Sequence, residues 1–155
     1  MTPGHALRQR DNARPDREPG RENDAERLAY EQAEKTWETL QRFQGGNAVF
    51  TMPSTPIKCG GAPQKIMYLA EEAFRTSGVR EHSRVMFMNA KPTLFTSPYY
   101  IPAIEKVIKT RGMEAHLGEE LTALRPDARE AVFRNAKTGA EQVLQIPAAA
   151  RQQPV

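Results

Sequence analysis

The apolar residues in the middle of this chain come in two textures: short continuous runs and longer runs at helical spacing. Asn47 to Met52 is a short apolar run between Gly45-Gly46 and Pro53, as expected of a buried parallel strand. From Gln64 to Ser77 the apolar residues Ile66, Ala70, Ala73 and Phe74 recur at helical spacing, and Met67 and Leu69 widen that face. Gly78 suits the stop, and Glu71 and Arg75 are placed to pair at i,i+4 on the outer side. Arg84 to Asn89 reads as a second strand and Ala90 to Ser97 as a loop. Ile101, Ile104, Val107 and Ile108 mark a second helix that starts near Tyr99, holds Pro102 in its first turn and ends at Gly112. Four strands follow, Met113 to Leu117, Leu121 to Arg125, Ala131 to Asn135 and Gln142 to Ile146, with turns at Pro126-Asp127 and Thr138-Gly139.

Ahead of all these, Glu34 to Gln44 has helical spacing with Trp37, Leu40 and Phe43 on one side. It reads as an amphipathic helix packed on the sheet and stopped by Gly45-Gly46. The expected order is therefore an α/β domain over residues 34–146, β-α-β-α-β followed by a β-meander. Residues 1–33 read as a separate disordered tail. They are rich in Arg, Asp, Glu, Asn and Pro and nearly without large apolar side chains, too few to offset the entropy of ordering. Residues 147–155 read as a flexible C-terminal tail.

Composition narrows the classes. The 155 residues are 39% hydrophobic, enough to bury one core. Net charge is +3, and the arginines of the first 33 residues are interleaved with acids rather than forming an unopposed basic block. Neither feature points to a nucleic-acid partner. No apolar run approaches the roughly 18–20 residues that span a bilayer. No secretory leader is expected, and the acids argue against a transit peptide. A single cysteine makes no internal disulfide, which fits a reducing compartment.

That cysteine lies on the turn between the first strand and the helix after it: Thr55-Pro56-Ile57-Lys58-Cys59-Gly60-Gly61-Ala62-Pro63-Gln64-Lys65-Ile66-Met67-Tyr68-Leu69. Pro63 suits the first helical position. A strand–turn–helix corner is where α/β folds place ligand chemistry, because the N–H groups at the helix start are unpaired and the dipole is positive there. The dipole and the Lys58 cation both favour the thiolate of Cys59. A lone cysteine is more often a small buried hydrophobe. Gly60 and Gly61, however, leave room for close approach by a backbone or a flat ligand, which suits a thiol facing a cofactor better than one facing a core.

The same stretch resembles the central cysteine segment of sulfide:quinone oxidoreductases, in the subgroup that includes the mitochondrial enzyme. Lys35-Thr36-Trp37, Phe50-Thr51-Met52-Pro53 and Glu130-Ala131-Val132-Phe133 are similar to that family too. The resemblance covers roughly Tyr30 to Ile146. It implies a Rossmann-like fold, the second dinucleotide-binding domain of a two-domain flavoprotein.

What the resemblance implies for chemistry is specific. In the family a disulfide is opened by sulfide, one sulfur leaves as a persulfide, and the other thiolate passes electrons to FAD, which quinone reoxidises. Cys59 matches the central cysteine and is the expected catalytic residue. Lys58, Gly60, Gly61, Ala62 and Pro63 are the expected cofactor-binding residues: Lys58 for the thiolate, the glycines and Ala62 along the flavin ring, and Pro63 at the helix start. Sulfide and quinone are the implied partners. The family docks peripherally on the bacterial plasma membrane or mitochondrial inner membrane, while this piece is expected to be soluble.

Several marks are missing from the sequence. There is no Gly-x-Gly-x-x-Gly for a nicotinamide or flavin dinucleotide, and the second strand ends at Asn89-Ala90-Lys91 with no acid to hold a ribose. The family's second cysteine is absent. The chain therefore reads as a central fragment that is inactive alone. The alternatives are a non-catalytic remnant that associates with itself or a partner through an exposed face, and a piece of another two-domain flavoprotein such as a type II NADH:quinone reductase.

Other candidates carry less. His82 and His116 show no companion ligands at metal spacing and read as surface residues, so no metal is expected. Phe95, Tyr99 and Tyr100 around Pro98 either line a pocket or pack at the helix entry. Glu114, Glu119 and Glu120 read as a solvated acidic edge. No Ser/His/Asp arrangement can be argued.

Overall fold

A computed structural model describes residues 33–147. The chain divides into two compact units, Met1–Thr36 and Trp37–Val155, and the architecture below is that of the second. The expected tails lie outside the described residues, save for Ala33 and Pro147 at their margins.

Residues 33–41 are helical (α1). Then come β1 (Gly46–Met52), α2 (Ala62–Thr76), β2 (Ser83–Asn89), α3 (Ile101–Thr110), β3 (Glu114–Leu117), β4 (Glu119–Arg125), β5 (Glu130–Asn135) and β6 (Glu141–Gln145). Short 3-10 turns at Arg80–His82 and Pro98–Tyr100 lead into β2 and α3. The β-α-β-α-β order and the closing meander match the expected pattern. β1, β2 and β3 form one parallel sheet in that spatial order, and β4, β5 and β6 form a separate antiparallel sheet.

β2 is the centre of the domain. Its residues Val85, Met86, Phe87 and Met88 are almost fully buried. Val85 and Phe87 join Ala48 and Met52 of β1, Met67, Ala70 and Phe74 of α2, and Ile108 of α3 in one core. Met86 and Met88 point the other way, into a second core with Ala131 and Phe133 of β5 and Leu144 of β6. A strand covered on both faces needs an unbroken apolar run, and that is why residues 85–88 show no polar alternation.

Two expectations about the helices need correction. Trp37 is 54% exposed; Leu40 and Phe43 reach the core instead, and the Phe43 ring stacks on Phe74 with centroids 4.4 Å apart. Phe43 does so from beyond the end of α1, because the helix stops at residue 41. Glu71 is not on the outer side of α2 but fully buried. It lies four residues after Met67 and three before Phe74, on the face that packs inward.

Three arginines compensate that burial. Arg75 Nε and Arg80 Nε both donate to Glu71 Oε1, the latter at 3.0 Å. Arg111 Nε lies 2.8 Å from Glu71 Oε2 but off the hydrogen-bond direction, so that oxygen is charge-paired without an aligned bond. Arg80 also donates to Ser83 O at 2.9 Å, Arg111 O at 2.7 Å and Gly112 O at 2.8 Å. The cluster ties α2, the start of β2 and the end of α3 together at the end of the sheet remote from Met52 and Asn89.

Candidate functional site at the Cys59 turn

The parallel strands β1 and β2 end at Met52 and Asn89, and the segments leaving these ends meet above the sheet. Ala90 N donates to Met52 O at 2.9 Å, which continues the ladder past β2. Residues 53–61 then lead from β1 to α2. Within them Ala62 N donates to Cys59 O at 3.1 Å, closing a tight turn, and Lys65 N donates to Gly61 O at 3.0 Å as α2 begins. Gly61 is the N-cap, with no side-chain cap and no acid in the first turn, and Pro63 lies in that first turn as expected.

The turn holds the thiol outward. Cys59 is exposed and free, not a buried filler. Lys58 is exposed and makes no ion pair among the described residues; Ala62 is exposed, and Gly60, Gly61 and Pro63 are half-buried. The six residues are contiguous, and the turn brings them to one corner at the carboxyl end of the parallel sheet. Gly61 has φ of −89°, and Gly60 is not among the positive-φ glycines. A Cβ added at Gly60 would lie 3.7 Å from Thr96 Oγ1, and one at Gly61 3.8 Å from Phe95 Cε2. Those are ordinary contacts, so neither glycine is needed by the local backbone. What their missing side chains leave is bare surface beside the thiol, which fits a planar ring laid along it.

The loop after β2 forms the other wall, and side chains that the sequence reading passed over hold it there. Gln64 is 3% exposed, and its Nε2 donates to Leu94 O at 2.6 Å. Tyr68 OH donates to Gln64 Oε1 at 3.3 Å. Burial raises the Tyr68 hydroxyl above its ordinary pKa. Asn89, fully buried where a nicotinamide site would place an acid, donates to Thr93 O at 3.0 Å and accepts from Lys91 N at 2.9 Å. Its side chain is spent on folding the loop. Gln64 could have been found from the sequence, since it shares the 64-67-71-74 helical face with Met67, Glu71 and Phe74.

Beyond Gly61, Tyr68, Phe95, Tyr100, Ala103, Ile104 and Val107 line an apolar groove of about 360 Å³. Phe95 meets Tyr100 edge-to-face at 6.2 Å, whereas Tyr99 is 84% exposed. Of the aromatic residues expected around Pro98, Phe95 and Tyr100 line a pocket and Tyr99 does not.

The other candidate histidines and acids lie away from this corner or are paired. His82 is exposed. His116 Nε2 lies 3.1 Å from Glu114 Oε2, so this histidine does have a carboxylate neighbour, and no cluster of metal-ligand type occurs among the described residues. The acidic edge is not merely solvated. Glu114 is paired with Arg84, Glu119 Oε1 accepts from Asn135 Nδ2 at 2.7 Å, and Glu120 Oε2 accepts from Ser54 N at 3.0 Å.

Comparison with known proteins agrees with the sequence resemblance. The mitochondrial sulfide:quinone oxidoreductase of Mus musculus is 47% identical over 100 residues, 64% of this chain and 22% of the relative. That of Dictyostelium discoideum is 38% identical over 106 residues, 68% of this chain and 24% of the relative. That of Schizosaccharomyces pombe is 36% identical over 109 residues, 69% of this chain and 24% of the relative. The chain thus spans about a quarter of the length of these relatives. No family model matches the chain.

Among solved structures, the sulfide:quinone oxidoreductase of Aquifex aeolicus superposes with a TM-score of 0.61 at 14% identity, covering 73% of this chain and 26% of that one. A chain of the Tetrahymena thermophila mitochondrial ATP synthase gives the same TM-score at 18% identity, over 70% of this chain and 27% of that one. At such identities the likeness concerns the fold alone.

Proposed function

We propose that this chain, similar in sequence to one segment of the mitochondrial sulfide:quinone oxidoreductases of mouse, Dictyostelium and fission yeast, supplies the redox-cysteine corner of such an enzyme, within the second, Rossmann-like dinucleotide-binding domain of a FAD-dependent flavoprotein. The observation that carries this reading is the exposed Cys59 thiol on the β1–α2 turn, at the carboxyl end of the parallel sheet.

In this reading Cys59 is one half of the disulfide that sulfide opens. Its sulfur leaves as a thiolate when sulfide adds to the partner cysteine, which keeps the added sulfur as a persulfide. Lys58 and the uncapped start of α2 hold the negative charge on Cys59. Gly60, Gly61 and Ala62 would hold the ring of FAD, and Pro63 fixes the start of the helix. FAD, when bound, would take up the electron pair as the disulfide between Cys59 and its partner cysteine re-forms, the outer persulfide sulfur leaving to a nucleophilic acceptor, and would hand that pair to quinone. The partner cysteine and the flavin fingerprint are not in this sequence, so the chain alone neither retains flavin nor turns over sulfide. The three relatives are named mitochondrial, and the reading places this chemistry at a membrane that holds quinone. No helix among the described residues is long and apolar enough to cross one.

The test is a chimera in which residues 34–146 replace the matching segment of the mouse enzyme. Sulfide-dependent quinone reduction is expected in the chimera and should be nearly abolished by Cys59→Ser, with flavin content and thermal stability unchanged. Turnover that survives Cys59→Ser removes Cys59 from the chemistry. Stoichiometric flavin on the chain alone counts against the partial-site reading.

A further inference from the structure

Two contacts hold the loop between β1 and Cys59 among the described residues. Ile57 packs its side chain against the core shared by α2 and β2. Ser54 N–H is the one backbone group from Pro53 to Lys58 that is bonded to protein among those residues. Its acceptor is Glu120 Oε2 at 3.0 Å, 66 residues away on β4. One apolar contact fixes the depth of a segment but lets it pivot, and a directed bond at a second point stops the pivot. Pro53 and Pro56 stand on either side of Ser54 with fixed φ, so a displacement at Ser54 is carried along the loop instead of being absorbed in it.

Glu120 is itself rooted in the meander. It stands in β4 opposite Arg134 of β5. Just before it, Gly118 N donates to Lys91 O at 3.1 Å, Ala136 N donates to Gly118 O at 2.7 Å, and Asn135 Nδ2 donates to Glu119 Oε1 at 2.7 Å. The start of β4 thus braces both segments that leave the parallel sheet, Gly118 the one after β2 and Glu120 the one after β1. Arg134 is taken by Glu141 Oε1 at 2.8 Å, and the Glu120 carboxylate makes no ion pair among the described residues. An ionised acceptor strengthens a bond to a backbone N–H.

We infer that Glu120 is a positioning residue: through Ser54 it fixes where the Cys59 turn sits above the parallel sheet, acting on the loop and not on the thiol. The inference rests on the reading of Cys59 as the redox residue, but the placement of the turn is measured without any turnover.

Cys59 is the only cysteine of the chain and is exposed, so a nitroxide attached to it reports the motion of the turn. In the full chain, Glu120→Ala should sharpen the spin-label spectrum. Glu120→Gln keeps an acceptor for Ser54 N and should leave the spectrum like that of the wild type. Glu141→Ala removes a carboxylate from the same sheet without touching the loop and should also leave it unchanged. Wild-type amide exchange needs no variant: corrected for intrinsic rates, Ser54 should exchange at least about tenfold more slowly than its unbonded neighbour Thr55. In the chimera with the mouse enzyme, Glu120→Ala should lower kcat about tenfold and leave KM for quinone unchanged, and Glu120→Gln should restore kcat. A label as immobile in Glu120→Ala as in the wild type, equal loosening in Glu120→Gln or Glu141→Ala, a line shape that merely follows the urea midpoint across the variants, or a Ser54 amide as fast as that of Thr55 would each overturn the proposal. So would an unchanged kcat in Glu120→Ala. A chimera that keeps its turnover after Cys59→Ser overturns instead the reading of Cys59, and the label and exchange results then decide the placement of the turn by themselves.

Discussion

Arg80 Nε donates to Glu71 Oε1 at 3.0 Å, joining a fully buried carboxylate in the middle of α2 to the short turn that starts β2. The same guanidinium caps the carbonyls of Arg111 and Gly112 at the end of α3. One acid and one arginine thus set the spacing of both helices and the central strand.

Glu71→Ala should therefore be among the most destabilising single changes in the domain. It leaves Arg80, whose side chain is only 15% exposed, without its acidic partner. Breaking a buried ion pair from one side costs about 3–5 kcal/mol. The lower end is expected here, because Arg75 and Arg111 are partly exposed and can turn to water. Urea unfolding measures it, and a loss under about 1 kcal/mol would show that the cluster contributes little.

This cluster marks where the sequence was readable and where it was not. The short apolar runs at β1 and β2 and the helical spacing of Ile66, Ala70 and Phe74 carry the secondary structure, because burial imposes those periods directly. The strand–turn–helix corner and the uncapped helix start were also legible from Pro63 and the glycines around Cys59. Glu71 was misplaced because an acid four residues before an arginine fits an exposed helical pair equally well. Its burial depends on Arg80 and Arg111, which are distant in sequence. The Gln64 contact with Leu94 is likewise tertiary, 30 residues away in sequence, whereas Asn89 bonds within its own loop, to Lys91 N and Thr93 O, as asparagine does in turns.

Gly45→Ala tests a different kind of constraint. Gly45 has φ of +109°, and a Cβ there would come 2.8 Å from the carbonyl oxygen of His82. The turn into β1 and the turn into β2 meet at this point, with backbone against backbone, so no side chain can yield. A loss of about 2 kcal/mol or more in thermal or urea unfolding is expected. Gly78→Ala is the informative control: φ is +77°, but nothing lies within 4 Å of an added Cβ, so only the conformational cost applies. Equal losses at the two sites would mean that the His82 contact does not matter.

The pairing of Arg84 with Glu114 across β2 and β3 has a pH signature. Hydrogen bonding from Arg84 holds the Glu114 carboxyl below its ordinary pKa, with help from His116 and against the effect of partial burial. A folded value below the unfolded one means that the stabilisation is present above the unfolded pKa and fades as pH falls through the folded one. Arg84→Gln should therefore raise the Glu114 midpoint in a carbon-detected NMR titration. Stability near neutral pH should change by less than about 1 kcal/mol, because Arg84 is more than half exposed and Glu114 about a third, so solvent screens the pair. An unmoved midpoint would assign the shift to His116 instead.

Gln64 offers a way to move the wall of the Cys59 corner without touching the thiol. Its Nε2 holds Leu94 O, and its Oε1 takes the Tyr68 hydroxyl, so it binds the loop after β2 to the first turns of α2. Gln64→Leu keeps the volume roughly constant and removes both bonds, leaving the buried Leu94 carbonyl and the half-buried Tyr68 hydroxyl without these partners. A cost of about 1–3 kcal/mol is expected. The more telling readout is local. Amides of residues 93–96 should exchange faster in the variant, and Phe95, which stands 3.8 Å from where a Gly61 Cβ would be, should lose its fixed position beside the turn. Gln64→Glu restores the acceptor for Tyr68 but not the donor for Leu94, so it should recover the tyrosine contact and leave the loop loose. If both variants left exchange in residues 93–96 unchanged, the loop would be held by Asn89 alone, and α2 would have no part in shaping that side of the site.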